Sequence, residues 1–412
     1  MARKMKDSGI EWIGEIPEGW EVAPLKRFAS IQTGNTPTKT PDSNYYASTG
    51  IPWIKPDNLG YSHSISKTSE YLTSEGALCA RIMPPNTVYV CCIGSLGKVG
   101  YSSISCACNQ QINALIFNDL MFWKYGYYLT IAQESQYLLF GNGNVLQIIN
   151  STSQGNIACV LPPLENQHLI ACYLDSVCSD IEILIAKARS SIEEYKKLKQ
   201  AVITQAVATQ QCSHIKLKYL MNVIVDCPHE TPTYSFTGNY YVIRTADQAL
   251  ASLRRDEDMY RLDASEYKKR TRRLTLDKDD IVYGREGERW GLACIVPESN
   301  KYCLGQRIMQ FRCNTKFLYP KYAMYTLNSE PVYLQGVADT IGSTSPHVNI
   351  STICNYLLPV PALTEQKEIA DYLDAKCAEI DRLIAKKEQL VKELESYKKS
   401  SIYEVVTGKR EV

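Results

Sequence analysis

The sequence predicts an α+β protein built as a tandem repeat, in which two globular segments are separated by two long helices of coiled-coil type with pseudo-twofold symmetry. Three observations predict it. A stretch beginning at Leu161 returns at Val360. Pro162, Leu164, Gln167, Ile170, Ala171, Tyr173, Leu174, Asp175, Cys178, Ile181, Leu184, Ile185, Ala186 and Lys187 recur without a gap as Pro361, Leu363, Gln366, Ile369, Ala370, Tyr372, Leu373, Asp374, Cys377, Ile380, Leu383, Ile384, Ala385 and Lys386. Both copies then space apolar residues three and four apart, with no Pro or Gly before Gly408. The segments before them also echo each other, Leu25-Lys26-Arg27-Phe28 in Leu217-Lys218-Tyr219-Leu220 and Gly94-Ser95-Leu96-Gly97 in Gly284-Arg285-Glu286-Gly287.

Taken in order, residues 1–155 form a first globule. It opens on a turn-rich strap with Trp12 and Trp20 and continues in short β-like runs at 33–37, 51–54, 86–90 and 113–117. A helix-like stretch rich in Tyr follows from Phe122 to Leu139. Residues 156–211 carry the first long helix, whose seam includes Leu174, Ile181, Ile185 and Ile192. Residues 212–355 make the second globule and residues 356–412 the second helix, with Leu373, Ile380, Ile384, Val391 and Leu394 on its seam. A run of roughly 40 helical residues spans about 60 Å, long enough for a spacer.

Bulk composition excludes several classes. With 45 basic and 44 acidic residues, the chain lacks the overall basic excess of a simple electrostatic nucleic-acid binder. Fifteen cysteines sit largely in apolar runs, no C-x-x-C occurs, and no His stands at ligand spacing from Cys106 and Cys108, so buried thiols in a cytoplasmic protein are expected rather than a zinc site. No apolar stretch approaches membrane-spanning length, and no export signal opens the chain.

The two globules and the repeated helix starts resemble the DNA specificity subunits of type I restriction-modification systems. The resemblance rests on Gly9-Ile10-Glu11-Trp12-Ile13-Gly14-Glu15-Ile16-Pro17, on Leu161-Pro162-Pro163-Leu164-Glu165-Asn166-Gln167, on Val360-Pro361-Ala362-Leu363-Thr364-Glu365-Gln366 and on Gly342-Ser343-Thr344-Ser345. The first globule departs from this last motif, reading Gly141-Asn142-Gly143-Asn144. The resemblance implies two target-recognition domains, each reading half of a split duplex DNA sequence, held apart by the two long helices running antiparallel. It also implies two methyltransferase subunits as partners, with restriction subunits of endonuclease and translocase function in the full complex. Cofactors are expected on those partners, S-adenosylmethionine, ATP and Mg, and none on this chain. A stand-alone DNA-binding or architectural protein is the alternative.

Candidate DNA-binding residues follow from side-chain chemistry. The glycine loops carry Ser95, Lys98, Arg285 and Arg289, which either reach phosphates and guanine edges or decorate plain hairpin turns. Asn109, Gln110, Gln111 and Gln306 follow those loops and have the paired donors and acceptors that suit adenine. Lys268, Lys269, Arg270, Arg272 and Arg273 form a dense basic run, read either as phosphate contacts or as a solvated surface. No catalytic residue is expected. No Asn- or Asp-Pro-Pro-aromatic tetrapeptide is present to hold a flipped adenine, and no H-E-x-x-H occurs.

Overall fold

The computed structural model describes residues 3–38, 44–60, 64–143, 147–208, 212–338, 340 and 346–412. Residues 342–345, the small-residue motif of the sequence, lie outside the described residues, as does Asn144. The chain divides into two compact units, one of Met1–Arg189 with Gln389–Val412 and one of Ser190–Glu388.

The first unit is built on an antiparallel sheet of β1 (Ala29–Thr33), β2 (Thr87–Cys91), β3 (Val99–Ser102) and β4 (Ile112–Phe117), in the order β3-β2-β4-β1. Alternation decides what each face meets, because side chains of period two point to opposite sides. Val88 and Val90 enter a core shared with helical residues, whereas Tyr89 and Cys91 enter another shared with Ile54, Met83 and Cys106. Both faces of β2 are therefore buried, as its unbroken apolar run requires. A smaller sheet includes the parallel pair Ile51–Ile54 and Cys106–Cys108. The helix-like stretch of the sequence is two helices, α1 (Trp123–Ala132) and a second over Glu134–Phe140. The expected β run at 33–37 keeps only Thr33 in a strand.

The second unit repeats this frame. β5 (Met221–Asp226), β6 (Ile281–Gly284), β7 (Ala293–Ile295) and β8 (Ile308–Cys313) form a sheet in the order β5-β8-β6-β7, with every pairing antiparallel. A small sheet again carries a parallel pair, Tyr240–Ile243 with Tyr302–Leu304. Helix α3 (Pro320–Leu327) stands where α1 stands in the first unit.

Two helices of 44 residues each complete the fold, α2 (Leu164–Val207) and α4 (Leu363–Val406). Each would span about 66 Å at 1.5 Å per residue. The first unit takes the start of α2 and the end of α4. Ile170, Leu174 and Cys178 share its core with Ile402, Val405 and Val406. The second unit takes the reverse combination, Ile203 and Val207 of α2 with Ala370, Leu373 and Cys377 of α4. Leu174 and Leu373, expected on the helix seam, are instead globule-core residues. Ile181, Ile185, Ile192 and Ile380 are buried, while Ile384, Val391 and Leu394 are only half-buried.

Within each unit the helix segments run antiparallel. In the first, Glu182 pairs with Lys398, and Arg189 with Glu395 at 2.8 Å. In the second, Lys199 donates to both oxygens of Asp381 at 2.8 and 2.9 Å and to the Leu250 carbonyl. Lys398 is the repeat counterpart of Lys199, and Glu182 that of Asp381. Both lysines are buried, so each unit carries one charge-paired lysine at its helix seam.

Candidate nucleic-acid interface

The repeated helix starts attach each long helix to its globule. The Gln167 carboxamide is buried, accepting from Phe122 N–H at 2.7 Å and donating to the Leu120 and Pro162 carbonyls. Gln366 does the same with Tyr319 N–H, Phe317 and Pro361. About two helical turns later, Asp175 accepts from Lys124 and from the Tyr128 hydroxyl at 2.8 Å, and Asp374 accepts from Lys321 and the Tyr325 hydroxyl at 2.8 Å. Burial first, with the carboxylate beside it, drives both tyrosine pKa values upward, so both hydroxyls stay protonated donors. These residues recur in the sequence because the same joint is built twice.

The glycine loops are hairpin connections, joining β2 to β3 and β6 to β7. Their backbone pairing corrects the sequence alignment. Gly94 N–H donates to Gln147 O, and Gly287 N–H to Pro346 O; Ile149 N–H donates to Cys92 O, and Val348 N–H to Arg285 O. Gly94, with φ of 81°, therefore corresponds to Gly287, with φ of 84°, and not to Gly284. Ile112 pairs with Cys91 and Ile308 with Gly284, so Gln306 is the repeat counterpart of Gln110. Each loop is buttressed by the segment just before the short helix that leads to its long helix.

In the first unit this rim is built largely of amides, with Lys98 and Arg81 as cations. Ser95 and Lys98 are exposed on the loop. Asn109 is buried and fixes the turn, its side chain donating to Gln111 Oε1 and accepting from Gln111 N–H, both at 3.1 Å. Gln110 is exposed and bonded to the Thr36 hydroxyl. Arg81, which the sequence reading passed over, donates to Thr33 O at 2.6 Å beside the same turn.

The second unit places its arginines differently from expectation. Arg270 is buried, its guanidinium shared among the carbonyls of Pro228, Glu230, Leu304 and Gly305. It holds a loop rather than a phosphate, because the group is buried and four of its five N–H donors are spent on carbonyls. Arg285 is also buried, with Nη2 2.6 Å from Glu286 and Nε 3.4 Å from Asp226, so its charge is already countered. Arg289 is tethered to the Ala246 and Gln248 carbonyls. Lys268, Arg272 and Arg273 remain exposed, and Lys269 is exposed but paired with Glu230 at 2.7 Å. Gln306 is half-buried, donating to His229 O at 3.4 Å. Arg307, absent from the sequence candidates, is exposed on the turn beside Glu286. Its left-handed φ of 68° marks that turn, a signal the sequence does not carry.

Among the described residues no group of three His, Cys, Asp or Glu is gathered to hold a metal ion, and no helix is long and apolar enough to cross a membrane.

The family model for the type I restriction modification DNA specificity domain matches twice, over residues 17–194 and 227–395. The chain belongs to this family. A specificity subunit of the MjaVIII type I restriction enzyme of Methanocaldococcus jannaschii is 23% identical over 96% of this chain and 93% of its own length. That of StySPI from Salmonella potsdam is 23% identical over 90% and 84%. The HindI specificity subunit of Haemophilus influenzae is 29% identical over a shorter stretch, 36% of this chain and about a third (33%) of that subunit. A solved structure from work on complex assembly and conformational transition of the type I R-M system shares the fold, with a TM-score of 0.69 at 15% identity over 95% of this chain and 98% of that one. The first match spans the whole of the first sheet, and the second spans three of the four strands of the second sheet, β5 lying just before it.

Proposed function

We propose that this chain is the non-catalytic DNA-reading subunit of a type I restriction-modification complex, each globule reading one half of a split duplex target. The observation that carries the reading is the double family match, laid over two sheet frames that repeat strand for strand. A repeated reader suits a bipartite site, because a twofold protein meets a twofold arrangement of half-sites. The paired long helices set the gap between half-sites and offer docking surface to two methyltransferase subunits. Those subunits bring S-adenosylmethionine and flip and methylate adenine; restriction subunits bring ATP and Mg. The near-balanced charge of the chain supports this division, since partners would supply much of the phosphate clamp.

Single-molecule methylation sequencing tests it, in a cytoplasmic host expressing the cognate methyltransferase subunit with and without this chain. A split motif with methyladenine in both halves is expected only when the chain is present. Unchanged methylation by an active methyltransferase would overturn the reading and favour a stand-alone DNA-binding protein.

A further inference from the structure

Among the described residues of the second unit, Phe236 is the most exposed of the large apolar side chains. Phe236 stands at the bend of the segment after β5, its ring fully exposed at 103% of the reference area. The bend is held at both feet. Ser235 N–H donates to Arg261 O at 2.9 Å in an antiparallel bridge. Two residues on, Gly238 lies so close to the same strand that a Cβ there would sit 2.0 Å from Leu262 O, and only glycine permits that approach.

Further back, Arg270 grips the Pro228 and Glu230 carbonyls, and Lys269 pairs with the Glu230 carboxylate. Tyr234 packs edge-on against Tyr260 at 4.6 Å, and the Arg244 guanidinium lies 3.8 Å from the Tyr260 ring centre. The turn is thus a braced projection. An exposed ring on a braced turn loses little conformational freedom when it stacks, which favours a binding role over chance exposure.

The surroundings specify the partner. The strand that braces Phe236, Arg261–Leu262, runs directly into the helix Ala264–Arg270, which carries Lys268 and Lys269 and is followed by exposed Arg272 and Arg273. A protruding apolar ring beside a basic run matches a base stack flanked by phosphates. We infer that the Phe236 turn is a DNA wedge of the second domain, its ring inserting at a base step in the second half-site while Lys268, Arg272 and Arg273 hold the adjoining phosphates. The buried Arg270 acts through the loop as a positioning residue. This inference rests on the DNA-reading function proposed above.

The test uses the chain assembled with its methyltransferase subunits and duplexes carrying the split motif. Phe236→Ala should weaken duplex binding roughly fivefold to a hundredfold, the range for loss of one aromatic stacking platform. Phe236→Trp should restore most of it. A 2-aminopurine reporter walked through the second half-site, leaving out the adenine that the methyltransferase flips and its two neighbours, should brighten at one step with the unsubstituted complex and stay dark there with Phe236→Ala. Because the ring is fully exposed, the melting midpoint of the variant should not move. Binding within twofold and an unchanged reporter would overturn the wedge. So would loss of methyltransferase subunits from the Phe236→Ala complex, which would make the ring a protein contact. Methylation directed by the unsubstituted chain is scored first, and its failure counts against the function; a complex that methylates its split motif yet ignores Phe236→Ala counts against the wedge alone.

Discussion

The two globules share a skeleton and differ in what they hang on it. Strand order, the parallel pair of the small sheet, the glutamine joint and the aspartate that receives a lysine and a tyrosine are the same in both. The surfaces diverge. Residues 212–355 hold 19 Lys and Arg against 16 Asp and Glu, whereas residues 1–155 hold 11 of each. The rim beside the glycine loop is largely amide in the first unit; in the second it is a lattice of arginines and carboxylates. Duplicated chains keep what the fold needs at each joint and vary what the solvent face meets.

The strongest test of that equivalence is the joint itself. Gln167→Ala and Gln366→Ala each leave a buried N–H and two carbonyls without partners, which should cost about 3 kcal/mol. Unit-resolved hydrogen exchange should show Gln167→Ala loosening residues 1–189 and 389–412, and Gln366→Ala residues 190–388. Both variants loosening the same unit would break the twofold correspondence.

The paired lysines come next, and here the halves should differ. Glu182 is 19% exposed and Asp381 47%, so solvent screens the second carboxylate more. Lys398→Met should cost about 2 kcal/mol and Lys199→Met nearer 1 kcal/mol, given the weaker worth of exposed pairs. Urea denaturation of each variant checks the order; equal costs would show that the Leu250 contact of Lys199 compensates.

A third comparison separates two neighbours in the second unit. Arg270→Lys should lower its stability by about 1–2 kcal/mol through lost carbonyl contacts, and leave the salt dependence of DNA binding unchanged. Arg272→Ala should leave stability alone and reduce the log–log salt slope by about 0.9, the signature of one lost phosphate contact. Binding titrations across salt concentrations distinguish them.

Near neutral pH the smallest effect comes from the thiols. Burial pushes Cys108 in the first unit and Cys294 in the second from an ordinary 9.0 up to about 12. Unfolding would release these protons more readily, so their contribution to stability is full below pH 9 and declines as pH rises toward 12. Alkylation at pH 8 should mark the exposed Cys79 and Cys172 first and reach Cys108 and Cys294 only on unfolding.

The architecture was legible in the sequence because repeated positions carry repeated packing. The matched Pro, Gln and Asp residues at the helix starts advertised a twofold structure before any coordinates. Their purpose was not legible: two of the three partners named for each of Gln167 and Gln366 lie more than 40 residues away in the globules, at separations no periodicity encodes. The seam was misread at Leu174 and Leu373 for the same reason, since heptad spacing marks an apolar face without saying what covers it. Arginine was the least readable residue. Arg270 and Arg272 stand two positions apart in one basic run, yet one is a buried clamp and the other faces solvent, a distinction made by loop carbonyls distant in sequence.

The division of the long helices between the units has a consequence for synthesis. The second unit is a continuous stretch, residues 190–388, and every segment it needs has been polymerised while the remaining residues are still being added. The first unit is interrupted. Its core waits for Ile402, Val405 and Val406, and the Tyr125 hydroxyl waits for the Val406 carbonyl. The part of the protein translated first is thus the part completed last, and the nascent first globule must keep an apolar groove open until its closing helix arrives.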